Sequence, residues 1–292
     1  MSKEIRIVKR RDLDYNKWMK LVNENNSTVY NQVHYLDSLS EHWLAVIVGD
    51  YQGGMAVPYT IRLGVKGIYT PNFLRAVDWL GEKPTDFGKV ASLLKEKFTR
   101  ANLNINQELF DVKSTLFFQK LDDSSTFKLG SQSKRSIKKF KKTELAISSI
   151  TIEEALPLVV GELKSKVKGL KTIDFLRFQN LLLNYDSEKC FCFGVRGSSL
   201  HAAAIIIEWN NQWLFIKGGV DAFGKQNGCM HALMQECIQK AFENGKKFSF
   251  EGSNVESVRQ FNLGFGAVNQ PYFNWNWNNS PWWFRLLLTI RK

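Results

Sequence analysis

The stretch from Gly224 to Ser253, GKQNGCMHALMQECIQKAFENGKKFSFEGS, constrains the fold more than any other part of the chain. Met230, Leu233, Met234, Cys237, Ile238, Ala241 and Phe242 recur at helical spacing and form one apolar stripe, while His231, Gln235, Glu236, Gln239, Lys240 and Glu243 take the other face. Gly245 stops this helix. Lys247 to Glu251 then alternates, with Phe248 and Phe250 on one side and Ser249 and Glu251 on the other, which predicts a half-buried strand. Ahead of the helix, the amides of Gln226 to Met230 are among the unpaired N–H groups at its positive end. Gly224 and Gly228 let that backbone approach a ligand closely, so the spacing predicts an anion site.

The chain has 292 residues, 44% of them hydrophobic, enough for two modest domains with ordinary cores. Its first residues, MSKEIRIVKRRD, lack a signal-peptide core, and no segment approaches the roughly 18 uninterrupted apolar residues of a membrane span, so a cytoplasmic protein is expected. The four cysteines and four histidines show no pairing or metal-ligand spacing, and no metal is expected. A net charge of +12 favours a polyanionic partner: nucleic acid, nucleotide phosphates or an acidic membrane surface.

In chain order, a strand is predicted over Ile5 to Lys9. A helix follows from Asp14, with Tyr15, Trp18, Met19 and Val22 as its stripe. A weaker helical patch lies near Tyr30 to Leu39, then a hairpin joins Trp43–Val48 to Met55–Leu63. The segment Gly67 to Leu80 is dense in aromatics around Pro71. It either lines a pocket, through Tyr69, Phe73, Arg75 and Trp79, or packs the domain. A helix over Thr85 to Thr99 and a strand over Asp111 to Gln119 complete a first α/β unit. Leu121 to Ser133, rich in Asp, Ser and Gly, reads as an interdomain connection, giving domains 1–128 and 129–292.

The second half opens on KRSIKKFKK, whose Lys134, Arg135, Lys138 and Lys139, with Lys141 and Lys142, either point cations at phosphates from a helix anchored by Ile137 and Phe140 or form a solvated face. Next come a strand over Leu145 to Thr151, two helices, and strands over Cys190–Val195, His201–Trp209 and Gln212–Lys217. Thr151 with Glu154 and Ser253 with Glu256 match capping boxes, although Pro157 argues for a kink or a later helix start. Gln270 to Trp277 is the last strand expected in this half, and the shared order of elements suggests an ancient duplication. In the tail, SPWWFRLLLTIRK, the apolar residues do not separate cleanly at helical spacing. A terminal element packed on the core is therefore favoured over an interfacial membrane helix.

This layout, with Lys225 to Met230 and Phe248 to Ser253, resembles the GNAT acyltransferase superfamily, and more closely the tandem-GNAT proteins related to Fem-type peptidoglycan aminoacyltransferases. The donor loop of that family, Gln/Arg-x-x-Gly-x-Gly/Ala, meets Lys225, Gly228 and Met230 at its marked positions; Met230 departs from the pattern. The aromatic segment around Pro71 and Phe73 and the basic run are also similar to theirs.

The resemblance implies a mixed α/β fold of two tandem GNAT-like domains, with an N-terminal acceptor side that lacks a donor loop and a C-terminal domain that holds the acyl donor. It implies an N-acyltransferase acting on a primary amine, that of a cell-wall precursor or a peptide. Acyl-CoA is the expected donor, held by Lys225, Gln226, Asn227, Gly228, Cys229 and Met230. Without the long helical insertion of the cell-wall enzymes, aminoacyl-tRNA is the less favoured donor. Glu251 and then Glu208 are the candidate general bases, and the acceptor is expected between the domains at Tyr69, Phe73, Arg75 and Trp79. Competing readings are an inactive acyltransferase fold that binds nucleic acid, including tRNA, and a peripheral membrane protein that works on a lipid-linked acceptor.

Overall fold

The structure, a computed structural model, describes residues 3–167, 169–252 and 255–290, with the backbone alone from 287 onward. The chain forms two compact units, residues 1–116 with 271–292, and residues 117–270. The boundary expected at 128 is thus corrected. Composition marked 121–133 as a connector, but that stretch is tied into the second unit, where the amides of Lys128 and Gly130 donate to Phe265 O and Gly264 O at 3.1 and 2.8 Å.

In the first unit, β1 (Ile5–Lys9), β2 (His42–Val48), β3 (Gly53–Arg62) and β4 (Val65–Ile68) pair antiparallel in sequence order. β5 (Trp79–Gly81) pairs with the start of β3, and β6 (Arg100–Ile105) joins β4 in parallel through Gly67 and Arg100. The helices are α1 (Tyr15–Glu24), α2 (Val33–Leu39) and α3 (Phe87–Lys97). Asp14 caps α1 by accepting from the Lys17 amide at 3.0 Å. The stripe on α1 that reaches the core is Trp18, Leu21 and Val22; Tyr15 stays exposed.

The second unit takes β7 (Ser114–Leu121) from Phe117 on, then α4 (Ser131–Phe140), β8 (Ala146–Ile150), α5 (Ile152–Lys166), α6 (Thr172–Leu183), β9 (Cys190–Arg196) and β10 (Leu200–Trp209). It continues with β11 (Gln212–Val220), α7 (Ala222–Gln226), α8 (Cys229–Glu243), β12 (Lys247–Ser249) and α9 (Glu256–Leu263). Strands β8 to β11 pair antiparallel in order, β12 runs parallel to β11, and β7 pairs antiparallel with the far edge of β12.

The Thr151–Glu154 box forms reciprocally, at 3.2 and 2.9 Å, and fixes the start of α5 at Ile152. Pro157 lies inside that helix rather than delaying it. Ser253 and Asn254, the first half of the other expected box, lie outside the described residues, and α9 begins at Glu256.

The apolar stripe of α8 is the centre of this unit's core. Leu233, Met234, Cys237, Ile238 and Ala241 are fully buried with Ala202, Ala204, Ile206, Phe248 and Phe265. Each large side chain so placed contributes about 1.5–3 kcal/mol of transfer free energy, and truncating Leu233 to Ala would cost about 2–5 kcal/mol.

The last elements, β13 (Val268–Asn278) and α10 (Trp282–Ile290), return to the first unit. β13 pairs antiparallel with β6, from Phe273 opposite Ile105 to Asn278 opposite Arg100, so the strand expected to finish the second half completes the first.

Candidate functional site

The second unit's sheet opens where β11 and β12 separate. The two strands pair in parallel over only three positions, Gln212 with Lys247, Trp213 with Phe248 and Leu214 with Ser249. Beyond these β11 runs on to Val220 without a strand on that edge among the described residues.

The local cause lies in β12 and its exit. Phe248 and Ser249 pair with Leu121 and Lys120 of β7, and the Phe250 amide donates to Gln119 O at 2.9 Å, so this chain follows β7 away from β11. Glu251 (φ 53°) and Gly252 (φ 70°) are then both left-handed, which turns the backbone out of the sheet. Only glycine fits at 252, because a Cβ there would lie 2.5 Å from Phe118.

On the other edge, β11 carries a bulge opposite β10. Ile205 faces Lys217 and Ile206 faces Phe215, which leaves Ile216 as the extra residue.

A cavity of about 560 Å³ occupies the opening. Its apolar walls include Leu163, Phe215, Met230, Phe250, Val258 and Phe261, and its polar groups include Lys217, His231 and Asn262. Lys225 and Lys166 sit at the same cavity and share one carboxylate, Glu162, with Lys225 Nζ 3.3 Å from it. Two cations against one anion leave this part of the cavity positive.

Lys217 was not singled out from sequence. Gly219, two residues on, abuts the α5 backbone at Leu158 and Val159, so Lys217 faces the α5 side of the sheet. Burial pushes its amine below the ordinary lysine range, and the charge of Glu251 opposes that shift in part. The only signal in the sequence was a lone cation in an otherwise apolar strand, QWLFIKGGV. His231, passed over as structural, also lines the cavity, with its ring 4.8 Å from that of Phe261; burial lowers its pKa and favours the neutral imidazole at pH 7.

The donor loop differs from its expected form. Gln226 and Asn227 belong to or follow α7, where the Asn227 amide donates to Phe223 O at 3.1 Å. Asp221 caps that short helix through the Gly224 amide at 2.6 Å, and its other oxygen lies 2.9 Å from His201 Nδ1. Of the five amides expected to be free, those of Cys229 and Met230 open α8 without an intrahelical partner.

Gly228 is required for a reason other than ligand approach. It is left-handed (φ 71°), and a Cβ would lie 2.2 Å from Ser136 O, so it seats α8 directly on the basic helix α4. Lys225, Gly228 and Met230 line the cavity, whereas Cys229 is buried in the core and its thiol is pushed up to about 11 by desolvation.

The two predicted carboxylates part company. Glu251 is 9% exposed, accepts from Ser249 Oγ at 2.8 Å, and stands at the strand exit between two cavity-lining residues, Phe250 and Gly252. Glu208 is opposite Trp213, in the still-paired part of β11. Burial works to raise its pKa, but hydrogen bonds from Lys246, 2.7 Å away, and from the Trp213 indole at 3.0 Å outweigh it and hold the carboxyl below its usual range. Such a group is a poor proton acceptor.

The four expected acceptor residues do not share one pocket. Tyr69 and Phe73 line a depression of about 360 Å³ in the first unit. Trp79 is buried in that unit's core, edge-on to Phe87, with its indole donating to Glu82 O at 2.8 Å. Arg75 lies over the Tyr30 ring and donates to Asn106 at 3.3 Å. Lys134, Arg135, Lys138 and Lys139 are exposed on α4, and no ion pair engages any of them among the described residues.

No family model and no curated protein matches the chain at the level of sequence. Solved structures do. FemX superposes with a TM-score of 0.61 at 10% identity, over 94% of this chain and 98% of that one. The C-terminal domain of a putative lysylphosphatidylglycerol synthetase from Agrobacterium fabrum gives 0.59 at 13%, over 94% of each chain. L-PGS from Bacillus licheniformis gives 0.54 at 14%, over 95% and 96%. Over nearly its whole length, this chain has the mixed α/β fold found in FemX and in these synthetase structures.

Proposed function

We propose that this protein is an acyltransferase that moves an acyl or aminoacyl group from a phosphate-bearing carrier to a primary amine, in the manner of the GNAT and Fem-type enzymes it resembles. The parting of β11 and β12 supports this most directly, because it leaves an unpaired strand edge, the Lys217 amine and a neutral imidazole on one apolar cavity. The donor carbonyl lies in the gap, where the free edge of β11 and Lys217 face the oxyanion that forms on attack. The acceptor amine forms the new C–N bond, the carrier's C–S or C–O bond breaks, and a proton leaves the nitrogen. An ordinary alkylamine, with a pKa of about 10.4, needs about 4–5 kcal/mol to be freed of its proton at pH 7. His231 takes that proton, and the charge of Glu251 opposes in part the lowering of the Lys217 pKa by burial.

Acyl-CoA is the first donor to test. Its phosphates meet Lys225, Lys166 and the opening amides of α8, and the cavity has room for acyl chains longer than acetyl. A thermal-shift series with acetyl-, hexanoyl- and octanoyl-CoA checks this, since ligand at 100 times its Kd stabilises by about 2.7 kcal/mol. Met230→Trp, which fills the cavity, is expected to abolish the shift without lowering the Tm of the free protein. A chain that ignores every acyl-CoA is not using this donor.

Aminoacyl-tRNA is a second reading, favoured by the exposed cations of α4, a helix whose backbone at Ser136 lies against Gly228 at the start of α8. It predicts binding that weakens steeply with salt and a shallower slope after Lys138→Ala and Lys139→Ala. Salt-dependent RNA binding with no transfer of either acyl group would favour the nucleic-acid-binding alternative.

A further inference from the structure

The terminal helix α10 separates its side chains in a way the sequence did not suggest. Phe284 is 2% exposed and holds the helix to the first unit, with the Arg100 guanidinium 5.1 Å over its ring. On the opposite side Trp282 is 73% exposed, Leu286 55% and Trp283 37%. At 100° per residue these three fall within about a quarter of the helix circumference, and Phe284 lies well away from them. Arg285 flanks the same stripe. Among the residues described, the tail packs on the first unit through Phe284 as expected, while its apolar stripe faces water.

A second feature lies beside it. Gly67 pairs with Arg100, and two residues earlier in β4 Val65 pairs with Arg62 to close the β3–β4 hairpin. At about 3.3 Å per residue the hairpin end lies about 7 Å along the strand from Arg100. Its tip residue, Leu63, is 73% exposed. Arg62 and Arg100 are close enough that each cation is felt by the other, and burial together with Arg62 lowers the Arg100 pKa. Tryptophan and leucine beside arginine are the composition that settles at a bilayer interface, with the rings at headgroup depth and the cations on lipid phosphates. A charge of +12 adds long-range attraction to an anionic surface. A second protein copy carrying the same cations would be repelled.

We infer that the α10 face of the first unit, Trp282, Trp283 and Leu286 with Arg285 and the Arg62–Leu63 hairpin tip, is a docking surface for an anionic lipid bilayer. The association is peripheral, since no described helix is long and apolar enough to cross a membrane. It does not depend on the acyltransferase reading.

Co-sedimentation of the full chain with phosphatidylglycerol–phosphatidylcholine vesicles tests it. Binding is expected at low salt, at least tenfold weaker to pure phosphatidylcholine. Trp282→Glu with Leu286→Glu is expected to weaken binding to the mixed vesicles at least tenfold with an unchanged Tm, because both residues are already in water. Quenching of tryptophan fluorescence by brominated lipid is expected to fall in Trp282→Phe with Trp283→Phe, which keeps the face apolar should the glutamates disturb the fold. No binding to anionic vesicles, binding indifferent to the glutamate pair, or a concentration-dependent dimer in sedimentation that the pair dissolves would each overturn the inference; the last would make this a self-association face.

Discussion

The two units share one crossover pattern and differ in what fills it. In each, antiparallel strands are followed by a crossover with a helix and a parallel strand, β4 to β6 through α3 and β11 to β12 through α8. In the second unit the parallel pair parts and leaves a cavity. In the first, the corresponding place is filled by the chain itself. Thr70 and Val77 donate their amides to Asn102 O and Asn104 O at 3.0 Å each, and Asn106 donates back to Val77 O at 2.9 Å. The aromatic segment, read from sequence as a pocket or as packing, fills this place as an added edge along β6, and Tyr69 and Phe73 keep only a shallow depression. A crossover that hydrogen-bonds along the new strand closes the gap; a short loop that turns into a helix leaves it open.

The largest effect that would sharpen this contrast is on stability. Asp78 is buried in the plugged unit and accepts from Thr28 N, Thr28 Oγ1, Asn31 Nδ2 and Asn106 Nδ2 at 2.8, 2.6, 2.5 and 2.7 Å. Asp78→Ala strands those donors and is expected to cost about 3–5 kcal/mol, a fall in Tm of about 10 °C. Any donor-induced shift should survive in the protein that remains folded. Loss of the shift would mean that the filled unit also holds donor.

In the open unit the expected effect is on rate. Lys217→Met should lower kcat/KM about 100-fold, equivalent to about 2.7 kcal/mol. A lysine whose folded pKa is depressed makes folding less favourable below that pKa and stops doing so only above its unfolded value, so the Met variant should be no less stable at pH 7. Unchanged kinetics would leave the cavity without its oxyanion partner. If His231 is the proton acceptor, the acidic limb of the kcat/KM profile falls below pH 6.5 and disappears in His231→Gln, along with most of the rate.

Gly252→Ala tests the turn that opens the gap. Left-handed backbone and the contact with Phe118 together predict a loss of about 1–3 kcal/mol and a weaker donor shift. The smallest effect belongs to Glu208→Gln. Its ion pair with Lys246 is present above the unfolded carboxyl pKa and is lost as pH falls through the depressed folded value. The substitution should therefore cost at most about 1 kcal/mol at pH 7, fade on acidification, and leave kcat/KM alone.

How much of this was legible varies by element. The helix α8, the capping box at Thr151 and the hairpin of β2 and β3 follow from local periodicity and turn chemistry, and they formed where expected. The unit boundary was not legible, because a run of Asp, Ser and Gly looks like a linker whether or not its amides find partners in a folded domain. The return of β13 to the first unit was hidden for a related reason: alternation tells which face of a strand is buried, and never which strand it pairs with. Glu251 was singled out because it ends a strand beside the expected donor loop, and the structure sets it between two residues that line the cavity, Phe250 and Gly252. Lys217 and His231 were missed because a lone cation in a strand and a lone histidine on a helix look structural until a cavity is seen beside them.

The sequence by itself determined the elements, the core stripe of α8 and the need for glycine ahead of it, since these depend on contacts within a few turns of one segment. Only the tertiary structure decided what those features are for. Gly228 proved to seat one helix on another, and the cavity proved to depend on β7, more than a hundred residues away, drawing β12 off β11. Local spacing cannot encode that, because a strand's direction out of a sheet is set by whichever neighbour holds its other edge.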